Sequence, residues 1–255
     1  MKQQLTPGTV VLVGGGPGDP DLITVAGLRA VRQADVVLYD RLAPLAVLDE
    51  MRPDAERIAV GKIPRGACTP QERINEILIE RARAGRTVVR LKGGDNYVFG
   101  RGGEEAQACA LAGVPVDVIP GVTSAVAVPA LAGVPVTHRS LSQGFTVVSG
   151  HVPPGDPRST VAWEALARSG MTLVVLMGVA HLGEICIALA ESGLDAATPA
   201  AVVADGCSPS MRVVRGTVAD IATLASDADV HPPAITVIGA VAGLDLNAPG
   251  DGWTP

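Results

Sequence analysis

Short apolar runs alternate along the chain with stretches whose apolar residues recur every three or four positions. The runs, rich in Val, Ile and Leu, predict buried β-strands, and the stretches between them predict amphipathic helices. The predicted strands are 9–14, 35–40, 57–61, 87–91 and 116–119 in the first half, and 145–149, 173–177, 200–204 and 235–239 in the second, which also has a short segment at 212–215. This order predicts an α/β fold with mostly parallel sheets flanked by helices.

The clearest predicted helix covers residues 70–84. Thr69 suits the N-cap, Pro70 suits the first helical position, and Glu72 completes a capping box. Gly85 follows the last apolar turn and suits a left-handed helix end. Further helices are predicted at 163–168, 181–192 and 218–225.

Pro120 and Gly121 interrupt the alternation of strands and helices, which places a domain junction there. A chain of 255 residues is long enough for two cores. We therefore expect one domain at 1–120 and another at 121–245. The remaining residues, 246–255, contain Pro, Gly and Asp and predict a flexible tail.

Composition narrows the classes of function. The net charge is −6, but residues 1–140 hold 16 Lys+Arg against 15 Asp+Glu, whereas residues 141–255 hold 4 against 11. This balance argues against a nucleic-acid binder and directs any anionic ligand to the first half. No apolar stretch suits a targeting sequence or a membrane span, so we expect a cytoplasmic protein with no membrane contact. Widely spaced cysteines and the isolated His138 and His151 indicate neither disulfides nor a metal site.

Two glycine-rich segments follow predicted strands. Residues 90–105 combine five glycines with charged and aromatic side chains, as in a loop that brings bare backbone against a small ligand. The turn at 14–18 is also glycine-rich, but Asp19 stands where a dinucleotide fingerprint needs a small residue. Pro17 also removes an N–H that a phosphate-binding turn would use. We interpret this turn as structural or as part of a ligand site that takes no phosphate.

Asp40 ends the second predicted strand, and Lys62 follows the third. Asp40 suits a turn or helix cap as well as it suits chemistry. Lysine is rare in this chain, with three lysines against seventeen arginines, and both Lys62 and Lys92 lie in glycine-containing segments at strand ends. A partly buried lysine can gain or lose a proton, whereas arginine cannot. Asp40 and Lys62 are therefore candidates for an acid–base pair if their strands are neighbours.

These motifs, in this order, resemble the tetrapyrrole methylase superfamily, and within it the branch that methylates uroporphyrinogen III. The matching segments are 14–21, 39–42, 61–62, 71–75, 90–105, 120–125, 133–139, 150–151 and 177–178. The resemblance implies two α/β domains with a ligand cleft between them, assembled as a homodimer. It implies S-adenosylmethionine as methyl donor, no metal, and a small-molecule tetrapyrrole as substrate.

Carried over residue by residue, the resemblance implies that Asp40 accepts a proton and that Lys62 donates one. It implies cofactor contacts at Pro17, Gly93, Gly94, Asp95, Val98, Thr123, Ser124, Met177, Gly206 and Ala234. Arginine grips carboxylates bidentately, so several arginines are candidate anchors for the acidic substrate. They are Arg41 and Arg101 foremost, then Arg65 and Arg139.

The chain departs from the family pattern at two places. Asn96-Tyr97 stands where the family has Pro-Phe, so we expect a looser loop, and Gly206-Cys207-Ser208 replaces a Gly-Thr-Thr segment. Three alternatives remain: a methyltransferase for a later precorrin or corrin intermediate, an enzyme that modifies protein or RNA, and a non-catalytic cofactor-binding module. The complete 90–105 loop argues against the later intermediate. The lack of a basic tract argues against a protein or RNA substrate. The Asp40–Lys62 pair argues against a non-catalytic module.

Overall fold

The computed structural model describes residues 4–61, 69–244 and 246. The chain divides into two compact units, Met1–Ser124 and Ala125–Pro255. Within the described ranges, no helix is both long and apolar enough to span a membrane. No group of three or more His, Cys, Asp or Glu side chains suited to a metal ion occurs among the described residues. Of the predicted tail, all except Leu246 lies outside the described residues.

The first unit contains a five-stranded sheet in the order β3-β2-β4-β1-β5, and every neighbouring pair is parallel. Its strands are β1 (Val10–Gly14), β2 (Val36–Tyr39), β3 (Glu56–Ala59), β4 (Val88–Lys92) and β5 (Val116–Ile119). The carboxyl ends of parallel strands meet at one edge of the sheet. The segments that follow β1, β2, β4 and β5 therefore lie near one another.

Helices cover both faces of this sheet. They are α1 (Val25–Gln33), α2 (Gln71–Arg83) and α3 (Gly102–Leu111), with 3₁₀ segments at Pro20–Leu22 and Leu45–Glu50. Alternate residues of β1, such as Val11 and Val13, pack in a core with residues of α1. Their neighbours Val10 and Leu12 pack on the other face with residues of α2 and α3. Burial on both faces explains why these strands are almost continuously apolar.

The start of α2 differs from the predicted capping box. The helix begins at Gln71 with Pro70 at its N-cap, and no side-chain hydrogen bond caps it. Proline has no hydroxyl or carboxylate with which to accept from the first-turn N–H groups, and the predicted N-cap residue, Thr69, lies one position before the observed N-cap. The predicted end is confirmed, because Gly85 has φ +77° and its N–H donates to the Ala82 carbonyl over 2.9 Å.

The second unit contains a five-stranded sheet in the order β6-β7-β10-β8-β9. Its strands are β6 (Phe145–Ser149), β7 (Thr172–Leu176), β8 (Pro199–Ala204), β9 (Arg212–Thr217) and β10 (Ala234–Ile238). Only β6 and β7 pair in parallel, and the other three pairings are antiparallel. The expected parallel arrangement therefore applies to the first sheet and not to the second. The reason is that β9 returns directly beside β8 and that β10 inserts antiparallel between β7 and β8.

Two cores flank the second sheet. Its helices are α4 (Ser124–Leu131), α5 (Trp163–Ala167), α6 (Leu182–Glu191) and α7 (Ile221–Asp227), with 3₁₀ segments at Val179–His181 and Ala240–Gly243. Residues of α5, α6 and α7 pack on one face of the sheet. Residues of α4 and of the last 3₁₀ segment pack on the other.

Candidate active site

Glycine segments after β1 and β4 are joined through their backbones at the carboxyl edge of the first sheet. The Gly16 N–H donates to the Gly94 carbonyl over 3.1 Å, and the Gly94 N–H donates back to the Gly16 carbonyl over 2.6 Å. The Gly15 N–H also donates to the Lys92 carbonyl over 2.7 Å. The turn that carries Pro17 is therefore fixed against the segment that carries Gly93, Gly94 and Asp95.

A third segment, after β5, closes against these two. A Cβ placed on Gly121 would overlap the Gly94 carbonyl oxygen, and a Cβ on Gly14 would overlap the Gly121 nitrogen. Gly94 itself has φ +67°, and a Cβ built there would lie 3.8 Å from the Ser124 nitrogen. Bare main chain therefore lines this place, which we call the glycine cradle: Gly14–Gly16, Gly93–Gly94 and Gly121–Ser124. A cradle of this kind suits a ligand that must approach the backbone closely.

Asp95 links the loops of the cradle. One carboxylate oxygen, Oδ1, accepts from the Tyr97 N–H over 2.8 Å, and the other, Oδ2, accepts from the Gly121 N–H over 2.9 Å. Hydrogen bonds from backbone N–H groups to a carboxylate are among the stronger ones in proteins. Asp95 thus orders the cradle, and its predicted contact with a cofactor stays a prediction.

Asn96 anchors the long glycine loop, contrary to the expected loosening. Its side chain is fully buried, and Nδ2 donates to the Leu12 carbonyl over 3.3 Å and to the Ile119 carbonyl over 2.9 Å. Gly102 packs so tightly that a Cβ there would lie 2.6 Å from the Asn96 carbonyl oxygen. The amide of Asn96 supplies two donated bonds that a proline ring has no means to supply, so this substitution ties the loop to the sheet.

The outer part of the same loop presents aromatic and basic side chains to solvent. Tyr97 and Phe99 are 57% and 45% exposed, with the half-buried Val98 between them. Phe99 and Arg101 have φ of 55° and 60°, an uncommon conformation for residues with side chains. Arg101 forms an exposed ion pair with Glu104, at 2.5 Å from Nη2 to Oε2.

Asp40 lies just beyond the end of β2, with its side chain 27% exposed. Its Oδ1 accepts from the Leu42 N–H over 3.1 Å, which is the turn-capping role predicted as an alternative to chemistry. Its Oδ2 lies 3.3 Å from Nη2 of the buried Arg90. The turn that follows Asp40 packs on the cradle, because a Cβ on Gly93 would lie 2.5 Å from the Leu42 carbonyl oxygen.

A buried ionic cluster lies behind Asp40, formed by Arg90, Lys92, Glu105 and Gln71. Glu105 is fully buried, and its Oε1 lies 3.2 Å from Arg90 Nε, 3.0 Å from Lys92 Nζ and 3.2 Å from Gln71 Nε2. Burial, followed by the neighbouring Arg90 charge, lowers the pKa of Lys92 below its usual value, and Glu105 opposes that shift. The sequence reasoning missed this cluster. The available signal was Arg90 in a run of buried aliphatic residues, where an unpaired charge is costly.

The predicted partner of Asp40, Lys62, lies outside the described residues, as does Arg65. The preceding Gly61 packs on the Asp40 turn, since a Cβ there would lie 2.7 Å from the Arg41 nitrogen. Arg41 is exposed, and within the described ranges its side chain forms no hydrogen bond or ion pair. Arg139, in the second unit, is also exposed.

In the second unit, Met177 follows β7 with φ 58° and remains 48% exposed. Next to it, Gly150 and Gly178 pack together, and a Cβ on Gly150 would lie 2.6 Å from the Gly178 Cα. Ile235 pairs with Leu176 as the last pair of β10 and β7, and Ala234 and Met177 each lie one residue beyond it. Two predicted cofactor contacts therefore lie at the same end of the second sheet.

Gly206 lies at the same end, because Ala204 pairs with Ala234 and the Asp205 N–H donates to the Pro233 carbonyl over 2.9 Å. A Cβ on Gly206 would lie 2.5 Å from both Cγ atoms of Val128, so only glycine fits. A cavity of about 360 Å³ opens elsewhere, at the end of the sheet where β7 begins and β10 ends. None of the predicted site residues lines it.

Comparison with known proteins identifies the family. A family profile described as Tetrapyrrole (Corrin/Porphyrin) Methylases matches residues 9–222. The chain belongs to the tetrapyrrole methylase family. The matched range includes both glycine segments, Asp40 and four of the five strands of the second sheet, and it confirms the recognition made from the motifs and the predicted fold class.

Individual tetrapyrrole methylases are similar over almost the whole chain. A Methanosarcina barkeri protein named S-adenosyl-L-methionine-dependent uroporphyrinogen III methyltransferase is 48% identical over 237 residues, 93% of each protein. A siroheme synthase of Pseudomonas fluorescens is 46% identical over 95% of this chain, which spans only 52% of that longer protein. The structure of a Thermus thermophilus uroporphyrin-III C-methyl transferase complexed with S-adenyl homocysteine matches with a TM-score of 0.77 and 41% identity, covering 92% of this chain and 93% of that one.

Proposed function

We propose that the chain uses S-adenosylmethionine to methylate uroporphyrinogen III on carbon at two pyrrole rings, giving precorrin-2 by way of precorrin-1. The names of the similar proteins support this substrate. The observation that carries the proposal is the Asp40 carboxylate, which is partly exposed on a turn that packs against the glycine cradle. Methyl transfer to a pyrrole carbon leaves the ring positively charged, so the macrocycle must then lose a proton from another position, and a carboxylate beside a ligand site suits that step.

The residues of the site fit the proposed methyl donor. The glycine cradle leaves main-chain groups free of side chains, as a ligand bound through backbone contacts requires. The contacts implied by family membership are Pro17, Gly93, Gly94, Asp95, Val98, Thr123, Ser124, Met177, Gly206 and Ala234. When bound, S-adenosylmethionine supplies an activated methyl group on a sulfonium. The reaction therefore calls for orientation by the protein, which can contribute about 7–11 kcal/mol at best, and no metal is proposed.

Asp40 is proposed as the proton acceptor and Lys62 as the proton donor or relay. Uroporphyrinogen carries several carboxylates, and the exposed Arg41 and Arg101 are proposed to bind them. Arg101 would exchange its surface partner Glu104 for a substrate carboxylate, which is a small loss because exposed ion pairs contribute little. We further propose a cytoplasmic homodimer.

The decisive experiment is a defined anaerobic reaction. Purified protein, S-adenosylmethionine and uroporphyrinogen III should give a product heavier by two CH2 units in mass spectrometry, because each methyl group gained is balanced by a proton lost, with a singly methylated species at early times. A parallel reaction with chemically or enzymatically prepared precorrin-2 should give no further methylation. Methyl transfer to precorrin-2 but not to uroporphyrinogen III would replace the proposal with the alternative of a later precorrin or corrin substrate.

A further inference from the structure

Arg90 links the proposed proton acceptor to the buried ionic cluster. Its guanidinium is held on three sides: Nη2 lies 3.3 Å from Asp40 Oδ2, Nε lies 3.2 Å from Glu105 Oε1, and Nη1 donates to the Leu91 carbonyl over 3.0 Å. We propose that Glu105 is a positioning residue for methyl transfer, because it fixes Arg90 and through Arg90 fixes the carboxylate of Asp40. This inference rests on the proposed function, in which Asp40 accepts the proton.

Stability alone explains Glu105 poorly. Its Oε1 receives all three donors of the cluster, whereas Oε2 is buried and has no hydrogen-bond partner among the described residues. A buried carboxylate with one unpartnered oxygen is costly, and buried ion pairs are weak evidence for stability. The presence of a carboxylate here is therefore better explained by its restraint of Arg90 than by a contribution to stability.

The geometry of Asp40 shows why its orientation would depend on Arg90. The Leu42 N–H holds Oδ1 from the exposed turn, and Arg90 holds Oδ2 from the buried side. Loss of either contact frees the carboxylate to rotate about its side-chain bonds. An arginine side chain has several rotatable bonds of its own, so Arg90 serves as a fixed support only while Glu105 and the Leu91 carbonyl restrain it.

Glu105→Gln provides the first test. The substitution keeps the size of the side chain but removes its charge, and it leaves only a neutral carbonyl oxygen to accept from Arg90 and Lys92. We expect kcat to fall by about tenfold to a hundredfold, as expected for a misplaced reacting group. The KM for S-adenosylmethionine should stay within about twofold. Glu105→Asp, which keeps the charge, should recover part of the loss.

A double-mutant cycle with Asp40 separates positioning from a general weakening of the fold. If Glu105 acts through Asp40, then Glu105→Gln should cost less than about threefold in the Asp40→Asn background, because groups that act as a unit are not additive. Single-turnover transfer of a labelled methyl group gives the sensitivity that the slow variants need. Full multiplication of the two effects would overturn the proposal.

The matched control is Asp35→Asn, which breaks an ionic contact at the opposite end of β2 in the same unit. It should lower the melting temperature and leave kcat per folded molecule unchanged. If Glu105→Gln does not fold, Arg90→Lys tests the same link, because it keeps the charge but loses the forked geometry. Wild-type kcat in every folded Glu105 and Arg90 variant would refute the positioning role, whereas an inactive wild-type protein would refute the proposed function instead.

Discussion

Two aspartates flank the strand β2, and their surroundings give them different roles. Asp35 precedes the strand and is held by the Thr87 N–H and hydroxyl at 2.8 Å and 2.7 Å, and by Arg52 at 2.6 Å. Asp40 follows the strand and keeps part of its carboxylate open to solvent. The same side chain therefore stabilises the fold at one end of the strand and remains available for chemistry at the other.

We expect Asp40→Ala to lower kcat by about 10²–10⁴, the usual contribution of a positioned acid or base. The affinity for S-adenosylmethionine should barely change, because no predicted cofactor contact is altered. Steady-state kinetics and isothermal titration calorimetry measure the two quantities separately. Loss of cofactor binding with Asp40→Ala would show that this aspartate maintains the site and is not its base.

Asp35 should contribute to the pH dependence of stability. The Thr87 N–H is the largest cause that lowers the pKa of Asp35 from its reference value of 3.8, followed by the Thr87 hydroxyl and Arg52, while burial opposes the shift. Its stabilisation is therefore full above pH 3.8 and is lost as the pH falls through the lowered folded-state pKa. Urea unfolding should show Asp35→Asn about 1 kcal/mol less stable than wild type at pH 7. An equal difference at the lowest accessible pH would contradict this assignment.

At the scale of elements, the strand positions were predictable because buried parallel strands are apolar on both faces, as in β1 and β2. The strand order of the second sheet was not predictable, because the insertion of β10 between β7 and β8 depends on tertiary packing. The contact between Asp40 and Arg90 could not be predicted from the sequence either. The two residues are fifty positions apart, and they meet only because β2 pairs with β4 in the register that places Leu38 beside Arg90.

The anchoring of the glycine loop by Asn96 gives an element-scale prediction. Asn96→Ala removes the two donors that reach the Leu12 and Ile119 carbonyls and leaves a small void among buried atoms. We expect the free energy of unfolding to fall by about 1–3 kcal/mol. Backbone amides of residues 96–101 should also exchange faster with solvent in hydrogen-exchange measurements. Unchanged exchange in that range would mean that other contacts hold the loop.

At the scale of the whole molecule, charge is divided unevenly along the chain. Residues 1–140 carry a net charge of +1, from 16 basic and 15 acidic residues, and residues 141–255 carry −7, from 4 and 11. The proposed substrate is polyacidic, so the arginines of the first part are expected to attract it and the second part to repel it. Such exposed interactions are screened over about 8 Å at physiological salt.

This division predicts how the KM values respond to salt. The KM for uroporphyrinogen III should rise severalfold between low and high ionic strength, while the KM for S-adenosylmethionine should change little. Arg41→Ala should reduce the effect of salt on the KM for uroporphyrinogen III, because Arg41 has no described ion-pair partner to compete with the substrate. A salt response identical to that of wild type would argue against Arg41 as an anchor.

The packing of Gly14, Gly94 and Gly121 has a consequence for how this family can change. A Cβ on Gly14 or on Gly121 would overlap main-chain atoms of the other two glycines, and main-chain atoms cannot move aside by changing rotamer. Gly94 is restricted for a different reason, because its φ of +67° is uncommon for a residue with a side chain. Attempts to redirect the enzyme toward enlarged analogues of the proposed donor should start from a side chain beside these glycines, such as Ser124, and leave the three glycines unchanged.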